Sequence, residues 1–200
     1  SGQGETRVWR PGRESSKVVA SWKKGTWFAV PVNAWHEHVN SGTTAARMVA
    51  VTTAPVLMDI FHNVDFIFNC DYVFKDRFNS EEDYFSKAGT WYSGRTWQTN
   101  FVADVRNLQL LEWKERGGGA SQVRFELVEN TLCGHVSQFG VGAYKKAHFH
   151  GPGAHVIILS GQGYSLLWPQ GQAIQRYDWK PGSLVVPPAN WFHQHFNAGA

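Results

Sequence analysis

Cysteine and long apolar runs are scarce in this sequence. The two cysteines, Cys70 and Cys133, lie far apart and show no C-x-x-C spacing. This argues against a disulfide framework or a zinc ribbon and fits a reducing compartment. No apolar run approaches the roughly 18 residues of a membrane-spanning helix, and the N-terminus has no signal-peptide pattern. We therefore expect a cytoplasmic protein with no membrane partner.

Charge is also limited, and its distribution argues against another class of partner. Charged residues make up 18% of the 200 residues, and the formal net charge is +3. Because Lys and Arg form no block, nucleic-acid binding has little support. Apolar residues reach 42%, with 10 Trp and 13 Phe beside 20 Gly and 8 Pro. This composition is typical of a folded protein with many short strands separated by turns.

The most informative feature is an internal repeat, in which residues 1–42 return as residues 160–199. The segment SGQG opens both copies, and Trp22-Lys23 matches Trp179-Lys180. Further on, PVNAWHEHVNSG aligns with PANWFHQHFNAG. The identical residues are mostly Gly, Trp, Pro, His and Asn, which chance does not cluster in this way. The pattern therefore indicates a duplicated β unit.

Three histidines in and near the second copy have the spacing of metal ligands. His148 and His150 are two residues apart on a predicted strand, so both imidazoles point to one face, with Cα atoms about 6.5–7 Å apart. His193 follows a Gly/Pro turn on another strand and provides a third nitrogen. A lone strand histidine is more often a surface or hydrogen-bonding residue. An H-x-H pair combined with a duplicated histidine-bearing turn favours a metal site with open positions for substrate and oxygen.

These spacings resemble the two motifs of the cupin superfamily. The first is carried by Gly142, the His148-Phe149-His150 segment and Gly161, and the second by G-x5-P-x-N-x2-H-x3-N, which runs from Gly182 to Asn197. The first copy repeats the second motif in the same register, with His36 in place of His193. The resemblance implies an all-β cupin (double-stranded β-helix) fold in a bicupin, with His148, His150 and His193 as metal ligands of the second barrel.

One departure from the cupin pattern narrows the resemblance. Cupins usually have a glutamate as fourth ligand shortly after the second histidine, where this sequence has Ala154. Without this glutamate the sequence resembles the three-histidine bicupins, such as gentisate and hydroxynaphthoate dioxygenases, which use ferrous iron. The GQG turn and the FHQHFN segment are close to theirs. The resemblance implies an Fe(2+)-dependent dioxygenase of aromatic compound degradation, which cleaves the ring of a small hydroxylated aromatic acid with O2.

The resemblance and the repeat together imply a division of the chain. Residues 1–54 would be the C-terminal part of a first barrel, residues 55–118 a partly helical inter-barrel segment, and residues 119–200 a second barrel without its last strand. We therefore expect a window from a longer chain, with a permuted barrel as the alternative. Because unpaired strand edges would be exposed, we expect residues 1–200 alone to fold poorly unless the missing strands or another copy supply partners. We also expect a homo-oligomer. Within the insert, residues 55–61 and the segment SEEDYFSKAG, capped by Ser80, are predicted helices.

Further candidates surround the three histidines. His195 shares the face of His193 and would either support the site or transfer a proton near the substrate. His155 is a weaker candidate for a replacement ligand or catalytic group, because it is one residue out of phase on a regular strand. Gln162, Tyr164 and Trp168 either line the pocket or pack in the core. The candidate substrate-binding residues are Gln162, Tyr164, Trp168, Arg176 and Trp191.

Two other functions compete with the dioxygenase. One is a non-oxidative bicupin with Mn(2+) or Zn(2+), such as an aminohydrolase, a decarboxylase or an isomerase. The other is a binding or storage protein whose histidines hold a metal without catalysis. The missing glutamate argues against a manganese decarboxylase, because Mn(2+) favours carboxylate oxygen. The resemblance to the three-histidine dioxygenases implies Fe(2+), with Mn(2+) or Zn(2+) as the alternatives.

Overall fold

The structure is a computed structural model that describes residues 1–92, 94–116, 119–127, 132–151 and 153–199. Short strands and loops dominate these residues, which confirms the expected all-β class. The chain forms two compact units. The first contains Ser1–Leu108 and Arg124–His135, and the second contains Gln109–Val123 and Val136–Ala200.

Residues 1–108 contain the strands of the first repeat copy and two short helices. Strand β1 joins β2 and β4 in an antiparallel sheet of order β2-β1-β4, while β3 pairs with β7 and β5 with β6. A 3-10 turn covers Val105–Asn107. The elements are β1 (Gln3–Trp9), β2 (Val18–Lys23), β3 (Trp27–Phe28), β4 (Trp35–Asn40), α1 (Ala54–Phe61), α2 (Val64–Phe68), β5 (Thr90–Tyr92), β6 (Thr96–Gln98) and β7 (Phe101–Val102).

The rest of the chain contains the second copy. Strand β12 lies between β13 and β15 in an antiparallel sheet, and β11 pairs with β14. A 3-10 turn covers Lys114–Arg116. The strands are β8 (Leu111–Glu112), β9 (Ser121–Glu126), β10 (Cys133–Gln138), β11 (Val156–Ile157), β12 (Gln162–Trp168), β13 (Gln175–Trp179), β14 (Leu184–Val185) and β15 (Phe192–Gly199).

The two copies of the repeat form the same three-stranded sheet. In the first copy, Thr6 lies between Ala20 and His38 on the neighbouring strands. In the second copy, Ser165 lies in the same way between Tyr177 and His195. Along β1 and β12 alternate residues are buried, as expected for strands with one covered face. The duplicated sequence therefore encodes a duplicated sheet.

A glycine shared by both copies allows a tryptophan ring to pack closely against this sheet. A Cβ atom on Gly163 would clash with the carbonyl oxygen of Phe196 and would lie 2.7 Å from the ring of Trp179. Gly4 has the equivalent neighbours in the first copy, the carbonyl of Val39 and the ring of Trp22. Only glycine fits at these two positions without displacement of backbone atoms.

We expect Gly163→Ala to lower the free energy of unfolding by roughly 2–3 kcal/mol, because the backbone oxygen of Phe196 cannot move without breaking strand pairing. Urea unfolding measures the change. Gly140→Ala is the matched control, because a Cβ there would meet no atom within 4 Å. Equal stability of the two variants would contradict the proposed close packing.

Of the two helices predicted in the insert, one is present and the other is absent. Helix α1 (Ala54–Phe61) lies where residues 55–61 predicted one. The helix predicted after Ser80 is absent, because Ser80 has a φ of 63°, outside the extended region of an N-cap, and the following residues form turns. Helix α2 was not predicted; the side chain of Asn63 caps it by accepting from the Phe66 N–H at 2.8 Å. Neither helix in the described ranges is long and apolar enough to cross a membrane.

Candidate metal centre

The candidate site is built around a single backbone pairing in the second unit. His148 and His193 lie opposite each other and exchange both backbone hydrogen bonds, at 3.1 and 2.9 Å. The Asn190 N–H donates to the carbonyl of His150 at 3.1 Å. The segment from His148 to His150 is therefore held against the start of β15. It is an isolated bridge rather than the regular strand that the H-x-H spacing predicted.

These contacts bring the three predicted ligands together. The potential ligand atoms of His148, His150 and His193 all lie within 4.8 Å of one another. The ring centroids of His148 and His150 are 4.3 and 4.9 Å from that of His193. Within the described residues, this group contains three imidazoles and no carboxylate. The arrangement can hold a metal ion that accepts three nitrogen ligands.

Backbone carbonyls orient two of the rings. Nδ1 of His148 lies 3.0 Å from the carbonyl oxygen of Lys146, and Nδ1 of His193 lies 3.3 Å from that of Trp191. A carbonyl can only accept, so each Nδ1 must carry the proton that is donated. The lone pair of each neutral ring is then on Nε2, where a metal can be bound.

His193 is also held in its neutral form by its surroundings. Its side chain is buried, and burial lowers its pKa to about 4, with smaller effects in the same direction from the neighbouring His148 and His150. A metal binds only the neutral imidazole, so no proton has to leave His193 at neutral pH.

This lowered pKa predicts how the stability of the metal-free protein depends on pH. Unfolded histidine takes up a proton near pH 6.5 and folded His193 only near its pKa of about 4, so the unfolded state binds more protons between these values. Stability should therefore fall as the pH is lowered from 6.5 towards 4, by at most about 3 kcal/mol from this residue. Urea unfolding of metal-free protein across this range measures it. In His193→Gln this contribution to the pH dependence should disappear, and an unchanged profile would contradict the assignment.

A buried hydroxyl positions the next histidine on β15. Ser165 is 0% exposed, and its Oγ lies 2.7 Å from Nδ1 of His195. The ring centroid of His195 lies 5.7 Å from that of His193. The first copy has the same pair, in which Thr6 Oγ1 lies 2.7 Å from Nδ1 of His38. His195 is therefore held next to the three-histidine group through one defined ring nitrogen.

Several predicted substrate-binding residues lie on the other face of this sheet. Strand pairing places Ser165 and Leu167 beside His195 and His193, so the alternate residues of β12 point away from the histidines. Tyr164 stacks on Phe196, with ring centroids 4.7 Å apart. The structure does not bring four of the predicted residues to the three-histidine group, namely Gln162, Tyr164, Trp168 and Arg176. The Arg176 guanidinium lies over the Tyr164 ring, 3.9 Å from its centroid.

Two further aromatic residues, Phe149 and Phe192, pack with Trp168 on that opposite face. Trp168 stacks on Phe192 at 5.5 Å, and Phe149 contacts Phe192 at 4.9 Å. Trp191 is adjacent to the site through its carbonyl, which accepts from His193. His155, a candidate for a replacement ligand or catalytic group, is exposed and lies outside the three-histidine group.

Two polar residues on the histidine face were not singled out from the sequence. Gln175 and Tyr177 lie on β13, opposite Leu167 and Ser165, and therefore share the face of His193. The phenol hydroxyl of Tyr177 donates to the side-chain oxygen of Gln175. A comparison of the two repeat copies could have found them, because the first copy has apolar residues at both positions.

The first copy retains part of the same arrangement. Nδ1 of His36 lies 3.3 Å from the carbonyl of Ala34, as in His193, and the rings of His36 and His38 are 5.3 Å apart. Both of these histidines are exposed. Within the described residues, neither belongs to a group of three potential metal ligands.

Comparison with solved structures identifies the architecture. An oxalate decarboxylase structure aligns with 100% of this chain and 58% of its own, at a TM-score of 0.54 and 11% identity. A deletion variant of Bacillus subtilis oxalate decarboxylase covers 99% of this chain and 58% of its own, at a TM-score of 0.54 and 12% identity. The chain has the cupin fold. At these identities the likeness shows the fold alone.

The likeness extends over only part of these solved structures. The chain spans about 58% of the length of these oxalate decarboxylases. Another similar structure, at a TM-score of 0.53 and 11% identity, is a Bacillus subtilis oxalate decarboxylase described for its Mn(II) centres. No protein-family model and no curated protein matches the sequence. The all-β cupin prediction is confirmed, and the narrower dioxygenase assignment has no support from these neighbours.

Proposed function

We propose that this cupin is a metal-dependent dioxygenase that cleaves the ring of a hydroxylated aromatic acid with O2. The observation that carries the proposal is the composition of the candidate centre, where three imidazoles and no carboxylate converge among the described residues. This ligand set matches the three-histidine cupins that the sequence resembles. His148, His150 and His193 would hold the metal, which we expect to be Fe(2+).

The residues present fit such an ion. Two rings are oriented through Nδ1, and the pKa of His193 is low enough to keep that ring neutral. When bound, Fe(2+) would supply redox chemistry and open positions for oxygen and substrate atoms. Catalysis would need these open positions, because a metal ion with four protein ligands is better suited to a structural role.

The protein's own residues would orient the substrate and manage protons. Ser165 holds the His195 ring beside the three-histidine group, so a proton can be accepted or donated at a fixed position. Leu167 and the buried Trp179 occupy the same face and exclude water from part of it. We therefore assign His195 as the catalytic histidine of the proposal, and we do not extend that role to the exposed His155.

Metal analysis and oxygen uptake test the proposal together. Protein purified without oxygen should contain close to one equivalent of iron per site, and at least one hydroxylated aromatic acid in a panel should cause stoichiometric O2 uptake. Ring opening should appear as loss of the aromatic ultraviolet band. Iron binding without O2 uptake on any member of a broad panel would argue against a dioxygenase.

A second candidate is a manganese-dependent decarboxylase acting on a small carboxylic acid. The similarity to oxalate decarboxylase structures, one of them described for its Mn(II) centres, favours it. The absence of a carboxylate from the described ligand group argues in the other direction, since Mn(2+) prefers oxygen ligands. Release of CO2 from oxalate by the manganese-loaded protein, without net O2 consumption, would establish this alternative.

A further inference from the structure

The sheet that carries His193 presents two rows of side chains towards the candidate centre. Directly paired residues in an antiparallel sheet point to the same side. One row therefore contains Gln175, Leu167 and His193, and the next contains Tyr177, Ser165 and His195. Gln175 and Tyr177 stand two strands from the histidines, about 10 Å away at the backbone.

The two repeat copies differ on this face mainly at strand β13. The first copy has Val18 and Ala20 at the corresponding positions of β2, 5% and 1% exposed. In the second copy the corresponding Gln175 and Tyr177 are exposed, with Tyr177 at 45%. Two buried apolar residues in one copy thus correspond to two accessible polar residues beside the three-histidine group in the other.

The two polar side chains are arranged as one unit. Because the Tyr177 hydroxyl donates to the side-chain oxygen of Gln175, the amide of Gln175 is oriented with its two N–H donors directed away from that bond. The phenol oxygen retains acceptor capacity, and its proton can turn towards a stronger acceptor. A carboxylate is such an acceptor, and hydrogen bonds to a charged group are stronger than those between neutral groups.

We infer that Gln175 and Tyr177 bind the carboxylate of the substrate and thereby select aromatic acids over neutral phenols. The inference rests on the proposed function, because it assumes that the ring carries its hydroxyl group to the metal held by His148, His150 and His193. The outer strands β13 and β15 are about 10 Å apart at the backbone. This leaves room for one aromatic ring with a carboxylate between the Gln175–Tyr177 pair on β13 and the metal at His193 on β15.

The position of Arg176 supports neutral groups, rather than an arginine, as the donors to the carboxylate. A carboxylate is often bound by arginine, and Arg176 is the cation that β13 offers. Its guanidinium lies on the opposite face, over the Tyr164 ring and in contact with Asp178. The side chains of β13 that face the histidines are instead Gln175, Tyr177 and the buried Trp179. Recognition from this strand would therefore use neutral donors.

Binding of 4-hydroxybenzoate and phenol to the metal-loaded protein under anaerobic conditions tests the inference by calorimetry, without turnover. The carboxylate of 4-hydroxybenzoate lies opposite its hydroxyl group, so it can reach β13 while the hydroxyl meets the metal. 4-Hydroxybenzoate should bind more tightly than phenol. Tyr177→Phe and Gln175→Val should each weaken binding of 4-hydroxybenzoate about tenfold and leave phenol binding unchanged, since each removes one donor to a charged group. Valine at position 175 is the residue that the first copy has at this place, so the sheet should tolerate it.

Tyr164→Phe is the matched control, because it removes the same hydroxyl from the opposite face of the same sheet. It should bind both ligands like the wild type, and all three variants should keep their metal content. Equal affinity for 4-hydroxybenzoate in Tyr177→Phe, Gln175→Val and wild type would overturn the inference, as would a wild type that does not distinguish 4-hydroxybenzoate from phenol. If the carboxylate discrimination depends on both residues but no aromatic acid causes O2 uptake, the inference stands and the dioxygenase proposal fails.

Discussion

Replacement of His148, His150 or His193 by alanine is expected to remove most of the bound metal while the protein remains folded. Each residue supplies one of three nitrogens that lie within 4.8 Å of one another, so each loss leaves only two protein ligands. Loss of a directly bound ligand should lower metal affinity by more than about 100-fold, since loss of an outer hydrogen-bond partner already costs about 10- to 100-fold. Metal analysis after dialysis against a weak chelator measures the effect.

His155→Ala is the control for this experiment. His155 is exposed and outside the three-histidine group, so its variant should retain the wild-type metal content. Thermal unfolding should accompany each measurement, because His193 is buried and its removal leaves a small cavity. His193→Gln keeps most of the volume and should lose metal to a similar extent. Stoichiometric metal in any of the three alanine variants, with normal folding, would exclude that histidine as a ligand.

The sequence predicted the site through spacing but mispredicted part of its backbone. An H-x-H pair implies two side chains on one face only if the segment is a strand, and here His148 forms an isolated bridge while Phe149 and His150 lie outside any strand. The single backbone bridge between His148 and His193 holds this segment against β15 and brings the histidines together. The three histidines could therefore be grouped from sequence even though their local secondary structure was assigned incorrectly.

The face of β12 could not be predicted from its own residues. Gln162, Tyr164 and Trp168 alternate with Gly163 and Ser165, and either set could have faced the histidines. Gly163, Ser165 and Leu167 face them, because Trp179 lies against Gly163 and His195 bonds to Ser165. The large aromatic residues are then free to stack on the other side.

The helix expected after Ser80 shows a different limit. Local signals, an N-cap residue followed by acidic residues, were present there, but the backbone at Ser80 adopts a positive φ and the segment turns repeatedly. Tyr84 and Phe85 of this segment are buried against Phe78 and Phe28. Aromatic burial within the unit therefore determined the local conformation, which short-range propensity cannot anticipate.

Restoring the missing carboxylate should change the metal preference of the site. Ala154 stands where the cupin motif has its glutamate ligand, and we expect Ala154→Glu to add a fourth, oxygen ligand to the three imidazoles. Affinity for Mn(2+) should rise relative to Fe(2+), because Mn(2+) favours carboxylate oxygen. O2 uptake per bound iron should fall by at least about tenfold, since the carboxylate would occupy a position that substrate or oxygen needs. Metal competition followed by elemental analysis, and oxygen uptake at saturating substrate, measure the two effects.

His155→Glu is the matched control, since it introduces the same carboxylate one residue further along the chain. His155 is exposed, so a glutamate there should change neither metal preference nor turnover. The contrast between the two variants tests directly which of the two positions faces the metal. Full iron-dependent turnover in Ala154→Glu would mean that Ala154 does not face the metal. A change confined to His155→Glu would place the carboxylate position at residue 155 and move the whole motif by one residue.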